Sequence, residues 1–239
     1  MKSRLGVNVD HIASLRNARG EGHPDPISCA RQVMNFGANS ITIHLREDRR
    51  HIRDEDVAIF SKIKRVPINL EMAANNEMLK IALKYKPNFV CIVPEKRNEI
   101  TTEGGLNITK NKKIIKKVIS KLNSKKIRTS LFINPNIKDV FASKELNAKC
   151  VELHTGKFAL KVKNNKNYLF ELKKIKNCAM LAKKLGMEVH AGHGLDYKST
   201  KILRKIKSIE EFNIGHFIIG EAIMFGMKKV ITNFRKILN

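Results

Sequence analysis

The chain has 239 residues, enough for one large hydrophobic core, and 42% of them are apolar, which excludes an intrinsically disordered protein. Its formal net charge of +25 predicts an attraction to anions, either phosphorylated small molecules or nucleic acid. Only 6% of the residues are aromatic and none is tryptophan, which argues against a surface on which bases stack.

Neither export nor membrane insertion is expected from the sequence. No apolar run approaches the roughly 18 residues that span a bilayer, and no signal-peptide pattern opens the chain. Most lysines interleave with apolar residues at helical spacing, which favours solvated helix faces, with attraction of phosphorylated substrates as a secondary effect. Free thiols in a cytoplasmic protein are expected, because the four cysteines lie far apart without a C-x-x-C pair: Cys29, Cys91, Cys150 and Cys178.

Eight short β-like segments alternate with helical patterns along the chain. The predicted strands cover residues 5–10, 40–45, 67–72, 89–94, 128–133, 150–155, 188–193 and 211–216. Asp25 followed by Pro26 predicts a helix start, whereas Gly37 and Gly186 predict helix ends. Strands that alternate with helices predict a parallel sheet.

Eight such units in a chain of this length predict a closed barrel. We therefore expect one (β/α)₈ TIM-barrel domain over residues 1–239, with extra short helices. An open, doubly wound sheet is the alternative, but it gives no reason for polar residues within so many strands.

Polar and apolar residues alternate within several of the predicted strands. In the second strand, Ile41 and Ile43 share one face, whereas Thr42 and His44 share the other. Since side chains alternate across a strand, the apolar set can pack on outer helices only if the polar set points into the barrel. Unpaired charges are costly to bury in a dry core, so these groups are expected to line a wet cavity.

Five ionisable residues from five strand ends are expected to converge on this cavity: Asp10, His44, Glu71, Glu152 and His193. Barrel enzymes place their chemistry at the carboxyl ends of the strands. Taken singly, each residue could serve as a core hydrogen-bonding group or a cap, but together they favour an active site. Histidine and glutamate side chains at such a site suit general acid–base catalysis.

Two anion sites are expected around the same cavity. Gly192-His193-Gly194 and Gly215-His216 stand at the last two strand ends, where small residues and a helix start expose N–H groups to phosphate. A second cationic group follows the first two strands, with at least one of Arg49 and Arg50 expected in an exposed loop: Arg19, Arg46, Arg49, Arg50 and His51.

The sequence gives no clear sign of metal or lysine chemistry. His190 and His193 are expected on opposite strand faces, with His190 toward the helices, and no helical His-x-x-x-His or thiol cluster occurs. No strand is predicted to end in an inward lysine, so an enzyme-bound Schiff base is less favoured. The charged segment 94–105 is either a lid over the cavity or an ordinary surface loop.

Several longer motifs, in order along nearly the whole chain, resemble those of the pyridoxine 5′-phosphate synthase family. They are GVNVDHIASLRNARG (6–20), IHLREDRRHI (43–52), NLEMA (69–73), VPEKR (93–97), TTEGG (101–105), ELHTG (152–156), AGHGL (191–195) and NIGH (213–216). The resemblance implies a cytoplasmic (β/α)₈ homo-oligomer, typically an octamer, without a metal or organic cofactor. It also implies condensation of 1-deoxy-D-xylulose 5-phosphate with 3-amino-2-oxopropyl phosphate, which yields pyridoxine 5′-phosphate, inorganic phosphate and water.

The same resemblance implies roles for individual residues. His44 and Glu71 would act as bases, His193 as the proton donor, and Glu152 would stabilise a cationic transition state. Asn8 and Arg19 would hold the phosphate of the amino ketone. The remaining substrate contacts would come from Asp10, His11, Arg46, His51 and Thr101 for deoxyxylulose phosphate, and from Gly194, Gly215 and His216 for a phosphate at the last two strand ends.

Two positions depart from the family pattern. His190 stands where the pattern has Asn, and because it is expected to face the helices, little effect on the site is expected. Glu221 is expected to open the helix after the eighth strand, where relatives often carry Arg, so its carboxylate would oppose a bound phosphate.

Two other functions remain as alternatives at this point. Another phosphate-binding barrel enzyme, such as an isomerase or an aldolase, would need an essential lysine or metal that the sequence does not clearly offer. A basic nucleic-acid-binding protein would explain the charge, but it leaves the strand-end residues without a role.

Overall fold

A computed structural model describes residues 2–95 and 104–239 of the chain. Its eight parallel strands close into a barrel in the order β1-β2-β3-β4-β5-β6-β7-β8, so the barrel prediction is confirmed. The strands are β1 (Arg4–Asn8), β2 (Ser40–His44), β3 (Ile68–Met72), β4 (Phe89–Ile92), β5 (Arg128–Ile133), β6 (Cys150–His154), β7 (Glu188–Gly192) and β8 (Glu211–Ile214).

Eleven helices occur in the described part of the chain, more than one per strand, as the expected extra helices require. They are α1 (Asp10–Arg19), α2 (Pro26–Asn35), α3 (Asp54–Phe60), α4 (Asn76–Tyr85), α5 (Ile108–Ser124), α6 (Ile137–Glu145), α7 (Gly156–Lys163), α8 (Leu169–Lys184), α9 (Tyr197–Leu203), α10 (His216–Phe225) and α11 (Met227–Leu238). Within these ranges, no helix is both long and apolar enough to cross a bilayer.

Local sequence signals set several of these boundaries. The Asp25 carboxylate accepts hydrogen bonds from the N–H groups of Ile27 and Ser28 and caps α2, which begins at Pro26. Most predicted strands ran one or two residues too far at their carboxyl ends. The reason is visible at Asp10 and His216, which are already the first residues of α1 and α10.

The hydrophobic core lies between the outer face of the strands and the surrounding helices. Val7, Ile43 and Leu153 are fully buried there, whereas the apolar residues inside the barrel form a small separate cluster of Cys91, Val93 and Phe132. Because most apolar residues pack outward, the polar residues of the same strands point to the barrel interior.

Strand pairing between β1 and β8 closes the barrel, with Arg4 opposite Glu211. The last helix reinforces this closure, since the carbonyl oxygen of Leu238 accepts hydrogen bonds from the N–H of Ser3 and from Arg204. The carboxyl ends of all eight strands therefore face one side of a closed ring, where the candidate site lies.

Candidate active site

The first half of the site is built on β1, β2 and β3. Strand register places His44 opposite Glu71 and Thr42 opposite Asn69, and Asn69 donates a hydrogen bond of 3.3 Å to the Thr42 hydroxyl. Thr42, His44 and Asn69 are buried and the Glu71 side chain is 15% exposed, as expected for polar residues that line a cavity inside the barrel.

Asp10 connects the first two strands at the cavity. One carboxylate oxygen accepts the backbone N–H of His44 at 2.8 Å, and the other accepts the side-chain amide of Asn8 at 2.8 Å. The Asn8 side-chain oxygen in turn accepts the backbone N–H of Asp10. Burial raises the pKa of Asp10, and the neighbouring His44 and these hydrogen bonds only partly offset that rise.

His44 lies between two carboxyl groups. Its Nδ1 is 3.9 Å from Glu71 Oε2, and its Nε2 is 3.7 Å from Glu95 Oε2. The side chain of Glu95 is only 2% exposed, and its other oxygen accepts the backbone N–H of Glu47 at 2.6 Å. An imidazole with a carboxyl group near each nitrogen can exchange a proton at either end.

Two glutamic acids occupy the same buried interior. Burial, followed by the like charges of Glu152 and Asp10, raises the pKa of Glu71 well above its ordinary value. Burial also raises the pKa of Glu152, against the lowering effects of His190 and of a hydrogen bond from Asn213. A carboxylate whose pKa is raised in this way is a stronger base, as proton transfer near neutral pH requires.

Close backbone packing holds the Glu152 carboxylate in place. The Asn213 side chain donates a hydrogen bond of 2.7 Å to Glu152 Oε2. On the neighbouring strand, a Cβ atom at Gly192 would clash with Glu152 Oε1, so only glycine leaves room for this carboxylate.

His193 lies on the β5–β7 side of the barrel mouth, beside a second histidine. Its ring centroid is 4.9 Å from that of His154 and 6.5 Å from that of Phe132. Burial lowers the pKa of His193, and burial followed by the charge of His193 lowers the pKa of His154 to about 4. Both shifts favour the neutral form of the imidazole, most strongly at His154.

The predicted anion-binding groups form a cluster near the first and last strands. The His11 ring centroid lies 5.9 Å from that of His51 and 5.0 Å from that of His216. His51 Nδ1 is 2.6 Å from the Ser14 hydroxyl. Burial, followed by the neighbouring His11, His44 and two arginines, lowers the pKa of His51 to about 4. A phosphate dianion among these rings would favour their protonation.

Glycines stand at the ends of the last two strands, where the sequence predicted a phosphate cradle. Gly215 precedes α10, and a Cβ atom at Gly215 would lie 2.9 Å from Asn8 Cβ, so glycine lets β8 approach β1 there. Gly194 has a φ of 75°, which favours glycine, and packs against Gly156. As at any helix start, the first backbone N–H groups of α10 have no partner within the helix and can bind an anion.

Some predicted site residues are not brought to the cavity. The Arg19 side chain is 75% exposed and pairs with Glu21 at 3.1 Å, so it does not reach Asn8 in this conformation. Arg49 pairs with Asp54 at 2.8 Å. Thr101 and most of the predicted lid, residues 94–105, lie outside the described residues.

Two predictions were wrong, one about the direction of the His190 side chain and one about the position of Glu221 in its helix. His190 is 2% exposed in its side chain and points into the barrel, where its Nε2 lies 3.0 Å from Glu188. Its orientation had been inferred by alternation from His193, but β7 ends at Gly192 and His193 has a φ of 78°, so alternation does not continue to that residue. Glu221 does not open the helix after β8, because α10 begins at His216, five residues earlier.

The sequence did not identify Glu95 or Asn213 as site residues. Both lie within motifs that carried the resemblance, VPEKR and NIGH, and Asn213 also occupies an inward position of β8. Their contacts with His44 and Glu152 depend on neighbouring strands, which a single-strand pattern cannot show.

One group of side chains in this site has the chemistry of a cation ligand set. Single ligand atoms of Asp10, His44 and Glu71 lie within 4.8 Å of one another. Each Asp10 oxygen accepts one hydrogen bond, from the His44 backbone and from the Asn8 amide, so Asp10 is oriented by these contacts and keeps one lone pair on each oxygen. The same three side chains can also transfer protons.

Comparison with known families gives a match over nearly the whole chain. The family described as "Pyridoxal phosphate biosynthesis protein PdxJ" matches residues 5–239. A protein of Pelagibacter ubique named pyridoxine 5′-phosphate synthase is 63% identical over 236 residues, which cover 99% of both chains. A protein of the same name from Zymomonas mobilis is 50% identical over 99% of this chain and 91% of its own length.

Solved structures with the same fold are more distant in sequence. A 3-keto-L-gulonate-6-phosphate decarboxylase from Vibrio cholerae superposes with a TM-score of 0.68 at 12% identity and covers 100% of this chain and 98% of its own. The tryptophan synthase α-subunit of Pyrococcus furiosus gives a TM-score of 0.62 at 14% identity, covering 100% and 99%. At such identities the similarity shows a shared barrel fold only.

Proposed function

The chain belongs to the family of the pyridoxal phosphate biosynthesis protein PdxJ, and on that premise we propose that it is a pyridoxine 5′-phosphate synthase. The reaction condenses 1-deoxy-D-xylulose 5-phosphate with 3-amino-2-oxopropyl phosphate and closes the pyridine ring, with release of phosphate and water. The 63% identity to a relative of that name carries this proposal. Neither a sugar-phosphate isomerase or aldolase nor a nucleic-acid-binding protein is favoured by these matches.

The geometry supports a division of roles across the cavity. His44 and Glu71, 3.9 Å apart, act as the bases that remove protons from the bound substrates. His193, on the opposite side of the mouth, acts as the proton donor. Glu152, held by Asn213, is the carboxylate that stabilises positive charge developing on the condensing nitrogen.

Substrate phosphates are the natural ligands of the two anion-binding regions. Asp10, His11, Arg46, His51 and Thr101 hold deoxyxylulose phosphate, and Asn8 and Arg19 hold the phosphate of the amino ketone. Because Arg19 is 75% exposed, it binds only after its side chain swings toward Asn8. The cradle of Gly194, Gly215 and His216 binds a phosphate at the start of α10.

An exposed apolar surface at the end of α10 supports assembly into an oligomer. The side chains of Ile223, Met224 and Phe225 are 74%, 75% and 54% exposed at the end of α10, an apolar surface that a partner subunit would cover. We expect a cytoplasmic homo-octamer of single-domain subunits, as the family resemblance implies, and light scattering of the purified protein measures its mass.

The test of this function is direct. Purified protein is mixed with both phosphorylated substrates, and pyridoxine 5′-phosphate and inorganic phosphate are followed together. Equal amounts of the two products are expected, with none when either substrate is left out. Release of phosphate without formation of pyridoxine 5′-phosphate would contradict the proposal.

A further inference from the structure

A partly buried ionic cluster lies at the amino ends of the strands, beneath the active site. Arg4, Arg128, Glu188 and Glu211 are the first residues of β1, β5, β7 and β8, and together with His190 they form what we call the floor cluster. Arg4 forms salt bridges with Glu188 and with Glu211, and its Nε lies 2.6 Å from Glu211 Oε2. Arg128 forms a second salt bridge with Glu188.

His190 is the only titratable group of the floor cluster that can change charge near neutral pH. Its Nε2 lies 3.0 Å from Glu188 Oε1, and its Nδ1 lies 3.7 Å from Glu211 Oε1. Arg4 Nη2, 3.4 Å from the same Nε2, opposes a positive imidazole. Burial lowers the pKa of His190 and Arg128 lowers it further, but Cys150 and Glu211 more than offset these two effects, so the pKa of His190 is raised.

The floor cluster is connected to Glu152 through one amide. The Asn213 side-chain nitrogen donates to Glu152 Oε2 at 2.7 Å and lies 3.5 Å from His190 Nδ1. Strand register also places His190 directly opposite both Glu152 and Glu211. A positive charge on His190 therefore acts on Glu152 through a water-poor interior, where screening is weak.

The cavity above the floor cluster contains two glutamic acids, Glu71 and Glu152, and the reaction needs one of them to be ionised in preference to the other. Glu71 and Glu152 repel each other when both are ionised, so their environments decide which of them loses its proton first. Glu71 faces the carboxyl group of Asp10, whereas Glu152 faces the cations of the floor cluster.

We propose that His190, as an imidazolium in the floor cluster, is a positioning residue that keeps Glu152 ionised while Glu71 remains free to take and return protons. This inference rests on the proposed role of Glu152 in stabilising a cationic transition state. It requires that the charged groups around the pair act together. Those facing His190 are Arg4, Arg128, Glu188, Glu211 and Glu152, with the thiol of Cys150; those facing Glu152 are His190, Arg128, Glu211 and Glu71.

The floor cluster has atoms close enough to bind a cation, but both of its carboxylates are already paired with Arg4. Ligand atoms of Glu188, His190 and Glu211 lie within 4.8 Å of one another. Arg4 bonds to both carboxylates of this group, and Ser40 donates to Glu211 at 3.1 Å. The guanidinium thus takes the place that a metal ion would need, which leaves an electrostatic role for the cluster.

The direct test reads the ionisation of Glu152 without requiring turnover. Infrared difference spectra against pH follow the protonated carboxyl bands, and the band that disappears in Glu152→Gln is assigned to Glu152. In His190→Asn and His190→Gln we expect the Glu152 midpoint to rise by about one pH unit or more, since a facing positive charge is lost. Arg128→Gln should raise it as well, because Arg128 also favours the charged carboxylate.

Ser40→Ala is the matched control, because it removes a hydrogen bond to Glu211 without removing a charge. It should lower thermal stability and leave the Glu152 midpoint in place. Folded His190 variants with an unchanged midpoint would overturn the inference. Should these variants not fold, a neutron structure of the unaltered protein near neutral pH decides: deuterons on both His190 nitrogens are expected, and a neutral His190 overturns the inference.

Enzyme kinetics then separate this inference from the proposed function. In the His190 variants the acid limb of the kcat profile should move to higher pH along with the infrared midpoint, while KM at high pH stays near its original value. If no pyridoxine 5′-phosphate forms even in the unaltered protein, the proposed function fails, but the infrared shift still tests the floor cluster.

Discussion

The protonation and position of two histidines, His193 and His44, determine which proton transfers are possible in the cavity. His193 lies beside His154, and partial burial lowers its pKa, which favours the neutral form of the proposed proton donor. A neutral imidazole has to take up a proton before it can donate one. His44 lies across the cavity from His193, between Glu71 and Glu95. In the proposed reaction it is placed to accept protons that are removed from the substrates.

Glu71→Gln and His193→Ala should each reduce turnover by about a hundredfold or more, since each removes a group that transfers protons. Both variants should remain folded, with melting temperatures within a few degrees of the original. Steady-state formation of pyridoxine 5′-phosphate and thermal melting measure the two effects. Glu77→Gln, at an exposed carboxylate paired with Arg49, is the control and should keep nearly full activity. Near-normal turnover in either variant would refute the assigned role.

The buried His154 also makes stability depend on pH. Its pKa is lowered to about 4 in the folded protein, whereas the ordinary value is 6.5, so the unfolded chain binds more protons between these two values. The free energy of unfolding should therefore fall as the pH drops from 6.5 to about 4, by up to about 3 kcal/mol from this residue.

His154→Gln should show a shallower loss of stability over this pH window. Urea unfolding of both proteins at several pH values measures the difference in their free energies of unfolding. That difference should shrink steadily as the pH falls from neutrality toward 4. A difference that stays constant with pH would mean that His154 is protonated in the folded protein as readily as in the unfolded chain.

Glycines on individual strands allow neighbouring strands and side chains to approach closely, and this packing positions the site residues as much as their hydrogen bonds do. Gly192 on β7 leaves room for the Glu152 carboxylate on β6, and Gly215 lets the end of β8 approach Asn8 on β1. The register of β6 and β7 pairs His154 with Gly192, so the same glycine lies next to both Glu152 and His154.

Gly192→Ala should displace the Glu152 carboxylate and lower kcat by about tenfold or more, because small displacements of catalytic groups are costly. Gly220→Ala is the matched control: it lies within α10, has open space around its Cβ position, and should leave kcat unchanged while stabilising the helix slightly. Kinetic assays with thermal melting compare the two. An active Gly192→Ala enzyme would show that the Glu152 position tolerates movement.

At the scale of the whole molecule, the charge of +25 surrounds a cavity whose proposed ligands are all anions. Such a field raises the rate at which phosphorylated substrates arrive, and dissolved salt screens it. kcat/KM should therefore fall at least about threefold as ionic strength rises from about 0.02 to about 0.5 M, with little change in kcat. Assays in a neutral-salt series measure this. If kcat/KM does not change with salt, the excess positive charge does not speed substrate arrival and lies only on solvated helix faces.

The sequence by itself determined the barrel, the inward polar set and the family. Apolar residues recur at every second position in the strands and at helical spacing in the segments between them. Both periodicities are local, so they can be recognised in the sequence without the tertiary structure. The motifs that contain Asp10, His44, Glu71, Glu152 and His193 were sufficient for the resemblance, and strand ends that share one side of a barrel then bring such residues together.

Only the tertiary structure decided how these groups are charged and which neighbours they have. His190 was predicted to face the helices because alternation was extended through His193, whose positive φ breaks it. Glu95 reaches His44, and Asn213 reaches Glu152, from separate strands or loops. Register and ring closure set these contacts, and a pKa depends on burial and on every nearby charge, none of which is a property of one segment.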